Sequence, residues 1–163
     1  MFVNQYILVY ENGTKTLKSV REIEYEKFNF PPDDDKELFI EQFVDYLKDI
    51  LNKSFSLGYL AEEHLFVVAM DLQYNLLGIF EVSHGTEEKC SAGAREIMTR
   101  LLMVGAERFV EFHNHPNGCI MLSDEDADSW QHLKNISESL GIDLLASAVV
   151  SEDLCNYFED IGV

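Results

Sequence analysis

Two histidines two residues apart, His113 and His115, are followed by Ser123 and Asp126. The run Arg108–His113 (RFVEFH) reads as a short strand, so side chains at i and i+2 share one face and the two imidazoles can converge on one ion. Pro116 cannot donate to a ladder and ends the strand. Asp126 lies 11 residues after His115, in the first turn of a helix, beyond a loop long enough to fold back. Two imidazoles and a carboxylate suit Zn²⁺. Three protein ligands leave a fourth position for water, which marks a catalytic rather than a structural site.

A plainer reading exists for part of this set. Ser123-x-x-Asp126 at a helix start is also a cap: the hydroxyl accepts from first-turn N–H groups and the acid favours the dipole. The two roles are compatible, because a cap that fixes the backbone of Asp126 also helps fix its carboxylate. Cys119, in the same loop, reads either as a fourth, inhibitory zinc ligand or as a buried or partly exposed apolar thiol. His64 and His132 read as structural, and Trp130 as core.

These groups need elements to hold them. Phe2 to Tyr10 and Thr14 to Phe30 flank Asn12-Gly13, a pair suited to a two-residue hairpin turn. Pro31-Pro32 breaks that segment, and Asp33-Asp34-Asp35 suits a helix N-terminus. A helix follows over about Lys36–Asn52, with Leu38, Phe39, Phe43, Leu47, Ile50 and Leu51 at helical spacing. His64–Asp71 is apolar enough for a central strand, and Leu76–Val82 is a second. Ser83-His84-Gly85-Thr86 is a loop. Helices are expected over Ser91–Val104 and Ser123–Leu140, each stopped by a glycine (Gly105, Gly141). Ile142–Val150 is a last strand, and Glu152–Glu159 a closing helix. Strands alternating with helices indicate an α/β layered domain.

With these placed, His113-Asn114-His115-Pro116…Ser123-x-x-Asp126 resembles the JAMM metalloprotease signature of the JAB/MPN fold, and the HNHP-x-G form is similar to its RadC-like branch. Leu65–Asp71, Glu81-Val82-x-x-Gly85-Thr86 and Arg95-Glu96-Ile97 extend the resemblance over roughly residues 35–150. It implies a three-layer α/β/α, cytidine-deaminase-like domain with a mixed central sheet, from residue 34 onward, preceded by a β-hairpin extension over 1–33. It also implies that His113, His115 and Asp126 bind Zn²⁺ and that Glu81 is the general base. Ser123 would donate to the oxygen of the tetrahedral intermediate. The implied reaction is hydrolysis of a peptide or isopeptide bond, with a peptide or ubiquitin-like protein as the possible substrate. His84, three residues past Glu81, would line the cleft.

The chain also departs from the RadC-like pattern. Gly93-Ala94 stand where His-Pro is usual, Ala146-Ser147 where Asp-His is usual, and Cys119-Ile120-Met121-Leu122 replace polar and Pro residues. The N-terminus is strand-like instead of a helical DNA-binding region. Two alternatives therefore stand beside the hydrolase: a non-catalytic MPN-like binding or scaffold module, and a RadC-like protein associated with DNA repair.

Composition bears on these choices. The 163 residues hold 30 acids against 12 Lys and Arg, a net charge of −18, which disfavours nucleic acid and anionic membranes. From residue 109 onward there are eleven acids and one base, Lys134. Some of these acids would help capture a cation. Cys90, Cys119 and Cys155 make no disulfide framework. No apolar run approaches a membrane span and the N-terminus is no signal peptide, so the expected location is the cytoplasm. At 47% apolar residues, the chain can build a core, with one domain or one domain plus an appendage. Whether the hairpin is a dimer edge or a cap over the sheet stays open.

Overall fold

The structure, a computed structural model, describes residues 1–31, 35–85 and 91–159. Pro32, Asp33, Asp34, Thr86 and Cys90, named above, lie outside the described residues. The elements run β1 (Phe2–Glu11), β2 (Thr14–Glu24), α1 (Lys36–Phe55), a 3-10 turn (Leu57–Tyr59), β3 (His64–Met70), β4 (Leu76–His84), α2 (Ser91–Val104), β5 (Arg108–Asn114), α3 (Asp124–Ser139), β6 (Asp143–Val150) and β7 (Cys155–Glu159). The strands form one mixed sheet in the order β2-β1-β4-β3-β5-β6-β7. The β1–β4 and β5–β6 pairs are parallel, and the other pairs are antiparallel.

The central strands carry apolar side chains on both faces, and alternation sorts them. Phe66, Val68 and Met70 pack with Phe43, Val44, Leu47 and Leu51 of α1. Val67 and Ala69 pack with Ile97, Met98 and Leu101 of α2 and with Trp130 and Leu133 of α3. The result is three layers: α1, the sheet, and the α2–α3 pair. Along β5, Phe109 belongs to the α2–α3 side, and its i+2 and i+4 neighbours are Glu111 and His113. Alternation therefore turns His113 toward α3.

Local chemistry sets the boundaries. Asp35 caps α1 by accepting from Leu38 N–H at 3.1 Å, and Ser56, in the left-handed region at φ 56°, ends it. Asn12 and Gly13 have φ of 51° and 78°, as a two-residue hairpin turn requires. The return strand β2 stops at Glu24 rather than running to Phe30. Beyond it Tyr25 joins the α1-side core and Phe28 packs onto Phe43, ring centres 5.0 Å apart. The hairpin lies in the plane of the sheet, with β1 beside β4, and it contributes Val3 and Ile23 to the α1-side core.

Two expectations are overturned. Ser83 and His84, read as loop, are the last residues of β4, because Ser83 pairs with Leu65 and His84 with His64. Residues Cys155–Glu159 form a strand antiparallel to β6 and not a closing helix. Cys155 and Tyr157 pack toward α1 while Phe158 packs toward α3, stacking on Trp130. That is a period of two, and five residues at an open sheet edge gain more from pairing than from little more than one helical turn.

Candidate metal centre

The centre is built at the end of β5. His113 is 3% exposed and faces α3, while His115 lies just past the strand in a turn closed by Gly118 N–H donating to the His115 carbonyl at 2.8 Å. Pro116 occupies the second position of that turn, where its fixed φ is an advantage. The turn carries Cys119 back toward His115, so that His115 Nδ1 meets the Cys119 carbonyl at 2.9 Å. A carbonyl only accepts, so Nδ1 bears the hydrogen and Nε2 of the neutral ring keeps its lone pair.

Asp126 enters from α3. Ser123 and Asp126 form a capping box: Asp126 N–H donates to Ser123 Oγ at 3.1 Å, and Ser123 N–H donates to Asp126 Oδ2 at 2.8 Å. This holds the carboxylate, itself 3% exposed, against both rings. His113 Nε2 is 3.1 Å from Asp126 Oδ1, His115 Nε2 is 3.4 Å from Oδ2, and the two Nε2 atoms are 3.2 Å apart. At the usual Zn–N and Zn–O lengths, the edge of a ligand tetrahedron is about 3.4 Å. The donor set therefore fits a Zn²⁺-sized ion: the ligand types match and their spacing is close to that edge.

The remaining candidates sit elsewhere. Ser123 is tied to the trio through its cap on Asp126. The Cys119 thiol accepts from Met121 N–H at 3.5 Å, and it is the carbonyl of that residue, not the sulfur, that touches His115. Glu81 is not gathered into the trio. Its carboxylate is bonded to His64 Nδ1. Glu81 and Phe112 both pair with Phe66, which puts the Glu81 backbone two strand spacings, about 10 Å, from the residue before His113. His84 likewise bonds Glu62 through Nε2 and stacks on His64 with ring centres 4.0 Å apart.

Sequence reasoning read His64 as structural and passed over Glu62 and Asn114 as site residues. Asn114 is 1% exposed. Its amide donates to the carbonyls of Leu60 and Glu62, at 3.0 and 2.8 Å, and its Oδ1 accepts from His64 N–H at 2.8 Å. The residue between the two histidines thus clamps the segment 60–64 onto the end of β5. Its position inside the HNH triplet was the available signal. Beneath the centre, Ser147 donates to Glu111 Oε2 at 2.9 Å inside the protein.

The mixed sheet between α1 and the α2–α3 pair, with this centre at the end of β5, is the arrangement of a JAB-like α/β domain. Residues 40–162 match the RadC-like JAB domain, and the chain belongs to that family. It is similar to UPF0758 proteins of several bacteria. That of Acaryochloris marina is 35% identical over 85 residues, covering 52% of this chain and 35% of that protein. That of Bordetella petrii is 29% identical over 103 residues, 63% of this chain and 46% of that protein. That of Streptococcus sanguinis is 31% identical over 102 residues, 63% and 44%. The chain thus spans less than half the length of these relatives. Among the described residues, no helix is long and apolar enough to cross a membrane.

Proposed function

We propose that this domain is a zinc-dependent hydrolase of peptide or isopeptide bonds. The observation that carries the reading is the spacing of His113 Nε2, His115 Nε2 and the Asp126 carboxylate, 3.1 to 3.4 Å, which suits one tetrahedral ion. Zinc, when bound, would polarise the substrate carbonyl and acidify a water. Glu81 would accept the proton from that water and return it to the leaving amine. To do so its carboxylate turns from His64 toward the end of β5. His64 is then the group that stores Glu81 between turnovers. The Ser123 hydroxyl accepts from Asp126 N–H, which leaves its own hydrogen for the oxyanion of the intermediate.

The protein purified from cells is expected to carry about one tightly held zinc per chain, measured by elemental analysis. Glu81→Gln should keep that zinc and lower turnover of a fluorogenic peptide or isopeptide substrate by about 10²–10⁴-fold. His113→Ala should lose the zinc of this centre and, with it, turnover. Protein that stays empty when zinc is added excludes the reading. A second reading, a metal-holding binding module without turnover, is favoured by one observation, the engagement of Glu81 with His64. Under it, Glu81→Gln changes nothing that the protein does.

A further inference from the structure

We propose a second divalent-cation site, built by Glu62, His64 and His84 at the ends of β3 and β4. His64 and His84 are direct partners in the antiparallel β3–β4 ladder, which puts their rings side by side. Glu62 comes from the segment before β3. One nitrogen of each ring and one Glu62 oxygen lie within 4.8 Å of one another. Glu81 borders the group through its bond to His64, beside two imidazoles and the Glu62 carboxylate that lie close to one another. Exposed carboxylates cluster often without a ligand, but a pair of in-register imidazoles among them is a transition-metal donor set, suited to Zn²⁺ and its neighbours.

The scaffold of this cluster is already fixed. Asn114 holds the Glu62 carbonyl and the His64 N–H. Gly85 N–H donates to the Glu63 carbonyl at 2.7 Å, which ties the end of β4 to the same segment. The backbones of all three donors are therefore set before any ion arrives, and binding has to order side-chain rotamers alone. His64 is the inner donor, its side chain 14% exposed, while His84 and Glu62 are 54% and 63% exposed. The two outer side chains are free to turn and close the present spacing to a tetrahedral edge of about 3.4 Å. His84 in particular must rotate out of its stack on His64, because lone pairs lie in the ring planes. As they stand, each His–Glu contact needs a proton between its partners.

The site is separate in sequence and structure from the His113–His115–Asp126 centre, and it stands whether or not that centre holds zinc. The test is equilibrium dialysis of the full chain against Zn²⁺, with wild type, His84→Ala, Glu62→Gln and His113→Ala compared. Both His84 and Glu62 are exposed, so their variants should fold, and circular dichroism checks this. Wild type is expected to take up about two equivalents. His84→Ala and Glu62→Gln should each drop by one, while His113→Ala keeps the equivalent that those two lose. Uptake of one equivalent that only His113→Ala removes overturns this proposal and leaves the proposed function standing. One equivalent lost only in His84→Ala and Glu62→Gln supports it and overturns the other. Uptake lost in all three variants means a single shared site and overturns it, and so does no uptake by wild type.

Discussion

Asp126 has two tasks on one carboxylate. Oδ2 accepts from Ser123 N–H and also faces His115, while Oδ1 meets His113. The first task makes the second possible, because a capped helix start leaves the carboxylate little rotamer freedom to lose when an ion binds. His115 is held in the same spirit by the Cys119 carbonyl. The acceptor in that contact is a backbone carbonyl, which is indifferent to the Cys119 side chain. Cys119→Ser should therefore keep its zinc, with affinity within a few-fold of wild type by titration against a chromogenic chelator. A loss of tenfold or more would show that the sulfur, not the carbonyl, governs the centre.

At the scale of elements, the β3–β4 connection shows how local hydrogen bonds place a distant centre. Asp71 accepts from Gln73 N–H at 2.8 Å and from Asn75 N–H at 2.9 Å on Oδ1, and from the Asn75 amide at 2.8 Å on Oδ2. Burial raises its pKa, but the Asn75 and Gln73 hydrogen bonds and the Arg108 charge outweigh it, so the carboxyl sits below its ordinary value of 3.8. A depressed pKa in the folded state means that folding releases protons at low pH. The turn's contribution is fully present above pH 3.8 and is lost as pH falls through the lowered folded value. Asp71→Asn should remove this dependence: below pH 4 the gap in melting temperature between wild type and variant narrows, and above pH 5 it is constant. A gap that widens on acidification would contradict the assignment. The turn matters to function because it sets the register that puts His64 opposite His84 and Phe66 between Glu81 and Phe112.

Over the whole molecule, one sheet joins everything. The hairpin residues Val3 and Ile23 complete the α1-side core, and β2 ends the sheet with a row of charged side chains, among them Lys15, Lys18, Arg21, Glu22 and Glu24, which discourages edge-to-edge association. At the other end the 3-10 turn docks against the β6–β7 connection. A Cβ on Gly58 would lie 2.1 Å from the Ser151 carbonyl oxygen, and Gly58 N–H also donates to Asn52 Oδ1 at 2.8 Å. Neither backbone can yield easily. Gly58→Ala should destabilise the fold by about 1–3 kcal/mol, read as a lowered denaturant midpoint with an unchanged slope. An unshifted midpoint would mean that the connection between β6 and β7 moves freely. The net charge of −18 belongs to this scale too. It is spread over solvated helix faces and termini, and few of the acids converge on the two clusters described.

Local physics made much of this legible in the sequence. Alternation along β5 determines which face His113 takes, Asn12-Gly13 determines a hairpin, and Ser123-x-x-Asp126 determines a helix start. Each depends on a few neighbouring residues and on sterics or hydrogen bonds that do not need the rest of the chain. Alternation was also present in Cys155–Glu159, but the segment was too short for its period to declare itself before an edge was there to pair with. Tertiary structure alone decided which groups meet. Asp126 reaches His113 because α3 packs back over β5, and Glu81 bonds His64 because a bulge in β4 shifts the register between Leu65 and Phe66. Nothing local marks Glu62, His64 and His84 as a group, for they lie up to 22 residues apart. Strand register brings them together, and register is set by the burial of apolar faces on both sides of the sheet, a property of the folded whole.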